Sequence, residues 1–195
     1  NVSYITFDSF NVVSPANFGG IGILVTNQSH HLTFTNNKID VDVNNTTFGS
    51  VGFAASAAST SATAVGNNAQ YITFTNNEVI GGYYSFTLNG QSSYLNCFGH
   101  NISNNIFRDF YIYGAYLSNV DSTIFANNII NRANRTLITT FYGLFMTTAR
   151  NVKVTGNRIH NAGVGSYTAY PIYLTTSVNS LGYETEFINN SIYNI

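Results

Sequence analysis

HLTFTNNKI at residues 31–39 returns forty residues later as YITFTNNEV at 71–79. Five further segments fit the same frame of apolar residue, two spacers, Asn, one spacer, apolar residue. They are YITFDSFNV (4–12), GHNISNNIF (99–107), STIFANNII (122–130), NVKVTGNRI (151–159) and ETEFINNSI (184–192). Their central apolar residues are Phe7, Phe34, Phe74, Ile102, Phe125, Val154 and Phe187, spaced 27, 40, 28, 23, 29 and 33. A unit recurring every 20–50 residues or so means a solenoid, propeller or array. Within HLTFT, Leu32 and Phe34 share one side and His31, Thr33 and Thr35 the other, the period of a strand with one buried face. The Asn that follows tolerates left-handed backbone and turns the chain within a residue or two. It stands in that place at Asn37, Asn77, Asn105, Asn128, Asn157 and Asn190, whereas the first unit has Phe10.

A second strand pattern precedes most units: GIGILV (20–25), SFTLN (85–89), GAYLS (114–118), GLFMT (143–147) and PIYLT (171–175). Leu88, Leu117, Phe145 and Leu174 are read as its inward row, which turns Tyr116 and Tyr173 outward. A third short strand follows each Asn turn, as in KIDVDV (38–43). The small-residue run GFAASAASTSATAV (52–65) reads as an expanded loop. This plan resembles the right-handed parallel β-helix, pectate-lyase-like superfamily over nearly the whole chain. The resemblance implies an all-β solenoid, residues 1–195 as one domain, with about seven coils of three short strands. It also implies that the six asparagines form an internal ladder, each amide bonded to the next coil. Solenoid units bury their apolar face only against neighbours, so near-identical neighbours are the easiest solution.

Of the 195 residues 44% are apolar, near the globular norm, but only 8% are charged, against roughly 25% in a typical domain. Twenty-nine Tyr and Phe residues argue against disorder, and polarity comes from Asn, Ser and Thr. A net charge of −1 with scattered Lys and Arg gives no footprint for nucleic acid. No apolar run has the length of a membrane span. Cys97, the only cysteine, reads as a small buried residue without a matched His and Asp. His30 and His31, adjacent on a strand, are expected to face opposite sides, and no metal or other cofactor is expected.

Enzymes of the resembled fold need clustered acids holding calcium with a basic residue, or paired carboxylates. The eight acids include two i, i+2 pairs, Asp40 with Asp42 and Glu184 with Glu186, both read as solvated faces. Lys38 with Glu78, and Lys153 with Glu186, fall at matching positions of adjacent coils and are expected to pair across them. No catalytic residue is assigned. Tyr83, Tyr84, Tyr111, Tyr113, Tyr116, Tyr142, Tyr167, Tyr170 and Tyr173 gather around the leading strand. Tyr113, Tyr116, Tyr142, Tyr170 and Tyr173 are the candidate contact residues, for a saccharide or for another subunit.

Of seven Asn-X-Ser/Thr sequons, those at Asn1, Asn27, Asn45, Asn101 and Asn134 are glycosylation candidates, while Asn189 is expected to be inaccessible in its turn. Neither end shows a charged or helical cap, which points to stacking on other coils, either of a longer chain or of further subunits. The expectation is an extracellular or cell-surface structural β-helix, part of a filament, sheath or adhesin. The alternative is a domain that binds or cleaves polysaccharide.

Overall fold

The computed structural model describes residues 1–16, 19–91, 96–176 and 179–195. Its strands form three parallel sheets wound as a solenoid. Sheet A holds β1 (Ser3–Asp8), β4 (Ser29–Thr35), β7 (Ala69–Thr75), β10 (Asn101–Ser103), β13 (Asp121–Ala126), β16 (Arg150–Thr155) and β19 (Glu186–Ile188). Sheet B holds β2 (Asn11–Val13), β5 (Lys38–Val41), β8 (Glu78–Gly81), β11 (Ile106–Arg108), β14 (Ile129–Asn131), β17 (Arg158–His160) and β20 (Ser191–Tyr193). Sheet C holds β3 (Ile21–Val25), β6 (Val51–Ala55), β9 (Tyr84–Asn89), β12 (Tyr113–Ser118), β15 (Phe141–Thr147) and β18 (Ala169–Thr175). Instead of about seven coils, the described residues form six complete turns and two strands of a seventh. The run 52–65 also contains more than a loop. Its first residues are β6, paired between β3 and β9, and its small side chains concealed the strand.

The repeat sets the register. Phe7, Phe34, Phe74, Ile102, Phe125, Val154 and Phe187 stack one above another in sheet A. In sheet B, Ile39, Val79, Phe107, Ile130 and Ile159 form the matching row. Apart from Phe187, which is exposed, these rows face Phe53, Phe86 and Leu144 of sheet C in one continuous apolar core. Its packing is aromatic: Phe53 and Phe86 stack at 5.1 Å, and Phe34 meets Phe53 edge-on at 5.0 Å.

The doubled asparagine divides two tasks. The first of each pair, Asn36, Asn76, Asn104, Asn127 and Asn189, carries the left-handed backbone, with Ser9 and Gly156 at the same place in the remaining coils. That conformation costs Asn and Gly least, which explains the residue choice. The second turns inward. The Asn105 Oδ1 accepts the Asn77 backbone N–H at 2.9 Å and the Asn77 Nδ2 at 3.1 Å. The Asn105 Nδ2 donates to the Phe74 carbonyl at 2.8 Å and to the Asn128 Oδ1 at 3.0 Å. The same bonds link Asn37 to Asn77, Asn128 to Asn157 and Asn157 to Asn190. Each interior amide therefore fills both donors and both acceptor positions, as a buried amide must. Phe10 ends the row with its backbone N–H on the Asn37 Oδ1 at 2.9 Å.

Candidate functional site

Sheet C's outer face carries the tyrosines. The inward row there is Leu88, Leu117, Met146 and Leu174. Phe145 is thus one residue out of the expected row and points outward with Tyr116 and Tyr173. Period-two reading also fails at the corner leading into the sheet. Gly114 and Gly143 occupy a position where a Cβ on Gly114 would lie 2.7 Å from the Gly143 carbonyl oxygen and 2.7 Å from the Ile130 side chain. This extra inward residue spaces the outward rings three apart in sequence.

Two columns result. Tyr84, Tyr113, Tyr142 and Tyr170 stack at 4.7, 4.9 and 5.0 Å. Tyr116, Phe145 and Tyr173 stack at 4.9 and 5.1 Å. Strand spacing of about 4.8 Å exceeds the roughly 3.5 Å contact distance between carbon atoms. Rings close that gap by tilting about 45° from the stacking axis, since the cosine of the tilt is the ratio of those distances. Columns tilted in opposite senses then meet near 90°, and Tyr113 meets Tyr116 at 90°, Tyr142 meets Phe145 at 87° and Tyr170 meets Tyr173 at 79°. Side chains stand off a sheet roughly perpendicular to it, so the ring faces address one another and the edges address solvent. Burial raises the phenol pKa of Tyr113 to about 12, with Tyr142 adding to the effect, and burial also raises Tyr116 and Tyr142. These three phenols stay uncharged at neutral pH.

Over the earlier turns the same face is covered. Ala62, fully buried, packs with Val51, Ala54 and Tyr84. Its carbonyl accepts the Thr87 hydroxyl at 2.7 Å and the Asn89 amide at 2.8 Å. Tyr111 and Tyr167 lie elsewhere, beneath the guanidinium groups of Arg135 and Arg132 at 4.9 and 5.5 Å. Arg132 is wholly buried, donates to the carbonyls of Ala162, Tyr111, Thr140 and Thr139, and pins the 132–140 connection to the rod.

The acids do not assemble. Asp40 and Asp42 do not share a strand face, because β5 ends at Val41 and Asp42 is left-handed. Asp40 accepts the Asp42 N–H at 3.3 Å and Asp42 accepts the Asn44 N–H at 3.0 Å. Glu184 lies before its strand and accepts the Gly182 N–H at 2.9 Å, a bond that lowers its pKa. Asp8 accepts from Asn36 and Ser9, which lowers its pKa. Glu78 lies level with Lys38 as expected, but its ion pair is with Arg108 at 2.7 Å. Asp109 also takes Arg108, at 2.8 Å. Lys153 and Glu186 do pair, at 3.4 Å, and Arg150 with Asp121, at 2.7 Å, was not foreseen. Among the described residues no three His, Cys, Asp or Glu side chains come together as a metal-binding group.

Three smaller expectations change. Cys97 has the histidine of such a set, with its Sγ 3.3 Å from His100 Nε2 and both buried, but the other ring nitrogen faces the Ile72 N–H and not an Asp. His100 Nδ1 accepts the Ile72 N–H, so Nε2 carries the proton. Burial pushes the thiol up to about 12 and the imidazole down to about 3, leaving an uncharged pair. His30 and His31 do not face apart. His31 is left-handed, which breaks the alternation, and the two Nδ1 atoms lie 2.9 Å apart. Asn189 is exposed at its turn, whereas Asn45 is buried with Oδ1 accepting the Thr47 N–H. Asn1, Asn27 and Asn134 are exposed, and Asn101 is half-buried in β10.

The molecule thus defines itself as a β-solenoid with an aromatic flank. Comparison with protein-family models, curated proteins and solved structures finds no match.

Proposed function

We propose that this chain is a structural β-solenoid without catalytic activity, a stiff element of an extracellular filament, sheath or adhesin. One observation carries the reading: all eight carboxylates hold a turn or bridge neighbouring groups, Glu78 and Asp109 both through Arg108. An acid that works on a substrate needs to be free of such duties and to sit beside a second catalytic group. The surface supports the same view, since few charges leave little repulsion between rods lying side by side. The aromatic flank of Tyr113, Tyr116, Tyr142, Phe145, Tyr170 and Tyr173 is the contact surface, to another rod or to neighbouring material.

Saccharide binding is the second reading. A row of outward phenol groups favours it, because hydroxyls offer hydrogen bonds to sugar hydroxyls. Ring faces turned toward one another weigh against it, because stacking on a sugar uses an open face. The resemblance to pectate-lyase-like proteins belongs with this reading and rests on the coil plan.

Incubation with acidic and neutral polysaccharides, with and without calcium, tests the first reading through unsaturated products and new reducing ends. No turnover, together with concentration-dependent association that Tyr142→Ser and Phe145→Ser weaken, is expected. Product formation above a heat-killed control would overturn it.

A further inference from the structure

We propose that the column of Tyr113, Tyr142 and Tyr170 is a site of oxidative cross-linking, where neighbouring phenols of one chain join by a carbon–carbon bond as dityrosine. The rings of Tyr113 and Tyr142 lie 4.9 Å apart with planes 9° from parallel, and those of Tyr142 and Tyr170 lie 5.0 Å apart at 11°. Rings tilted about 45° over a strand spacing of about 4.8 Å slip past one another by about 3.4 Å. Each ring stands off the sheet, so the slip runs across its width. One ortho carbon then lies over the opposite ortho carbon of the next ring, near the roughly 3.5 Å contact distance. Their π lobes point at each other, and atoms about 3–3.5 Å apart with aligned orbitals are poised to react. Tyr84 continues the column but is buried beneath Ala62, out of an oxidant's reach.

The oxidant is a haem peroxidase with hydrogen peroxide. Each of two adjacent phenols gives up its O–H hydrogen atom, leaving phenoxyl radicals whose unpaired spin is shared with the ortho carbons. The two unpaired electrons pair as the new ortho–ortho bond. The displaced ortho protons pass through water to the phenoxyl oxygens, which restores both phenols. The chain loses a pair of hydrogens, and peroxide leaves as two waters. Neighbouring contacts supply the contrast. Tyr116, Phe145 and Tyr173 stack in the same way, but Phe145 has no O–H to lose. Tyr113 meets Tyr116 at 90° and Tyr170 meets Tyr173 at 79°, so those ring faces are not opposed. With Cys97 its only cysteine, the chain forms no internal disulfide, and the tyrosine bond ties successive turns instead. The pairing lies within one chain and holds whether or not rods associate through this flank.

Treatment of the dilute full chain with peroxidase and hydrogen peroxide, followed by digestion and mass spectrometry of the monomer fraction, tests this. Cross-linked peptides joining Tyr142 to Tyr113 and Tyr142 to Tyr170 are expected. Tyr142→Phe keeps a ring in the stack and should lose both pairs. Phe145→Tyr completes the second column and should add pairs with Tyr116 and Tyr173. In denaturing urea the preference for column neighbours should vanish. Absence of dityrosine from the monomer, joining of Tyr113 to Tyr116 in place of Tyr142, or a pairing pattern unchanged in urea would overturn the proposal.

Discussion

The inner asparagine row and the outer aromatic columns both repeat one side-chain type up the rod, but they tolerate exchange differently. The asparagine row is buried and directional, and every rung from Asn37 to Asn157 is linked through side-chain amide bonds to the next. An amide in it has no substitute with both a donor and an acceptor in the same place. The aromatic columns are half-exposed and held by shape. Phe145 stands among tyrosines, and where the 56–65 connection supplies cover, the outward residues shrink to Ala54 and Thr87. Directional burial fixes a residue's identity, whereas lateral stacking fixes only bulk and only where nothing else covers the sheet.

Asn105→Ala attacks the stricter row. It removes four hydrogen bonds and strands the Asn77 N–H and the Phe74 carbonyl, so a loss of about 3–5 kcal/mol is expected. The midpoint of urea unfolding measures it. His100 extends the same logic to acid. Its pKa is depressed from 6.5 to about 3 in the fold, so the unfolded chain binds the extra proton first. Stability should be full above pH 6.5 and decline as pH falls toward 3, by a few kcal/mol. Stability measured against pH should show this decline, and His100→Gln should flatten it.

Thr87→Tyr would extend the second aromatic column beneath Ala62. Overpacking there should cost about 1–3 kcal/mol and open the 56–65 connection to protease, which limited digestion reads. Phe145→Ala removes a ring touching Tyr113, Tyr116, Tyr142 and Tyr173. About 1–2 kcal/mol should be lost, less than at Asn105, because the site is partly wet. Phe145→Tyr should fall within about 0.5 kcal/mol of the parent, since both column neighbours already carry the hydroxyl. A large effect there would show that the columns are as specific as the amides.

The same contrast explains what was legible in the sequence. Residues under directional constraint recur as letters, so Asn37 to Asn190 and the Phe7-to-Phe187 row could be placed from spacing. Residues under bulk constraint recur only as size, and β6 escaped notice because Ala62 lets Ala54 be small. Phe145 was assigned inward because Gly143 adds a residue at the corner that strict alternation does not count. Left-handed His31 and Asp42 misled in the same way: a single backbone reversal swaps which side chains meet, and neither residue type announces it. The Tyr113, Tyr142 and Tyr170 group was visible as a cluster, but its ring orientation, which weighs against sugar stacking, follows from strand spacing and tilt.

The central claim is that each doubled asparagine splits into an outer turn residue and an inner structural bond. Hydrogen exchange of the side-chain amides, followed by nuclear magnetic resonance, addresses it directly. The amides of Asn77, Asn105 and Asn128 should exchange only with global unfolding, while those of Asn76, Asn104 and Asn127 exchange freely. Equal and rapid exchange of both members of each pair would contradict the account.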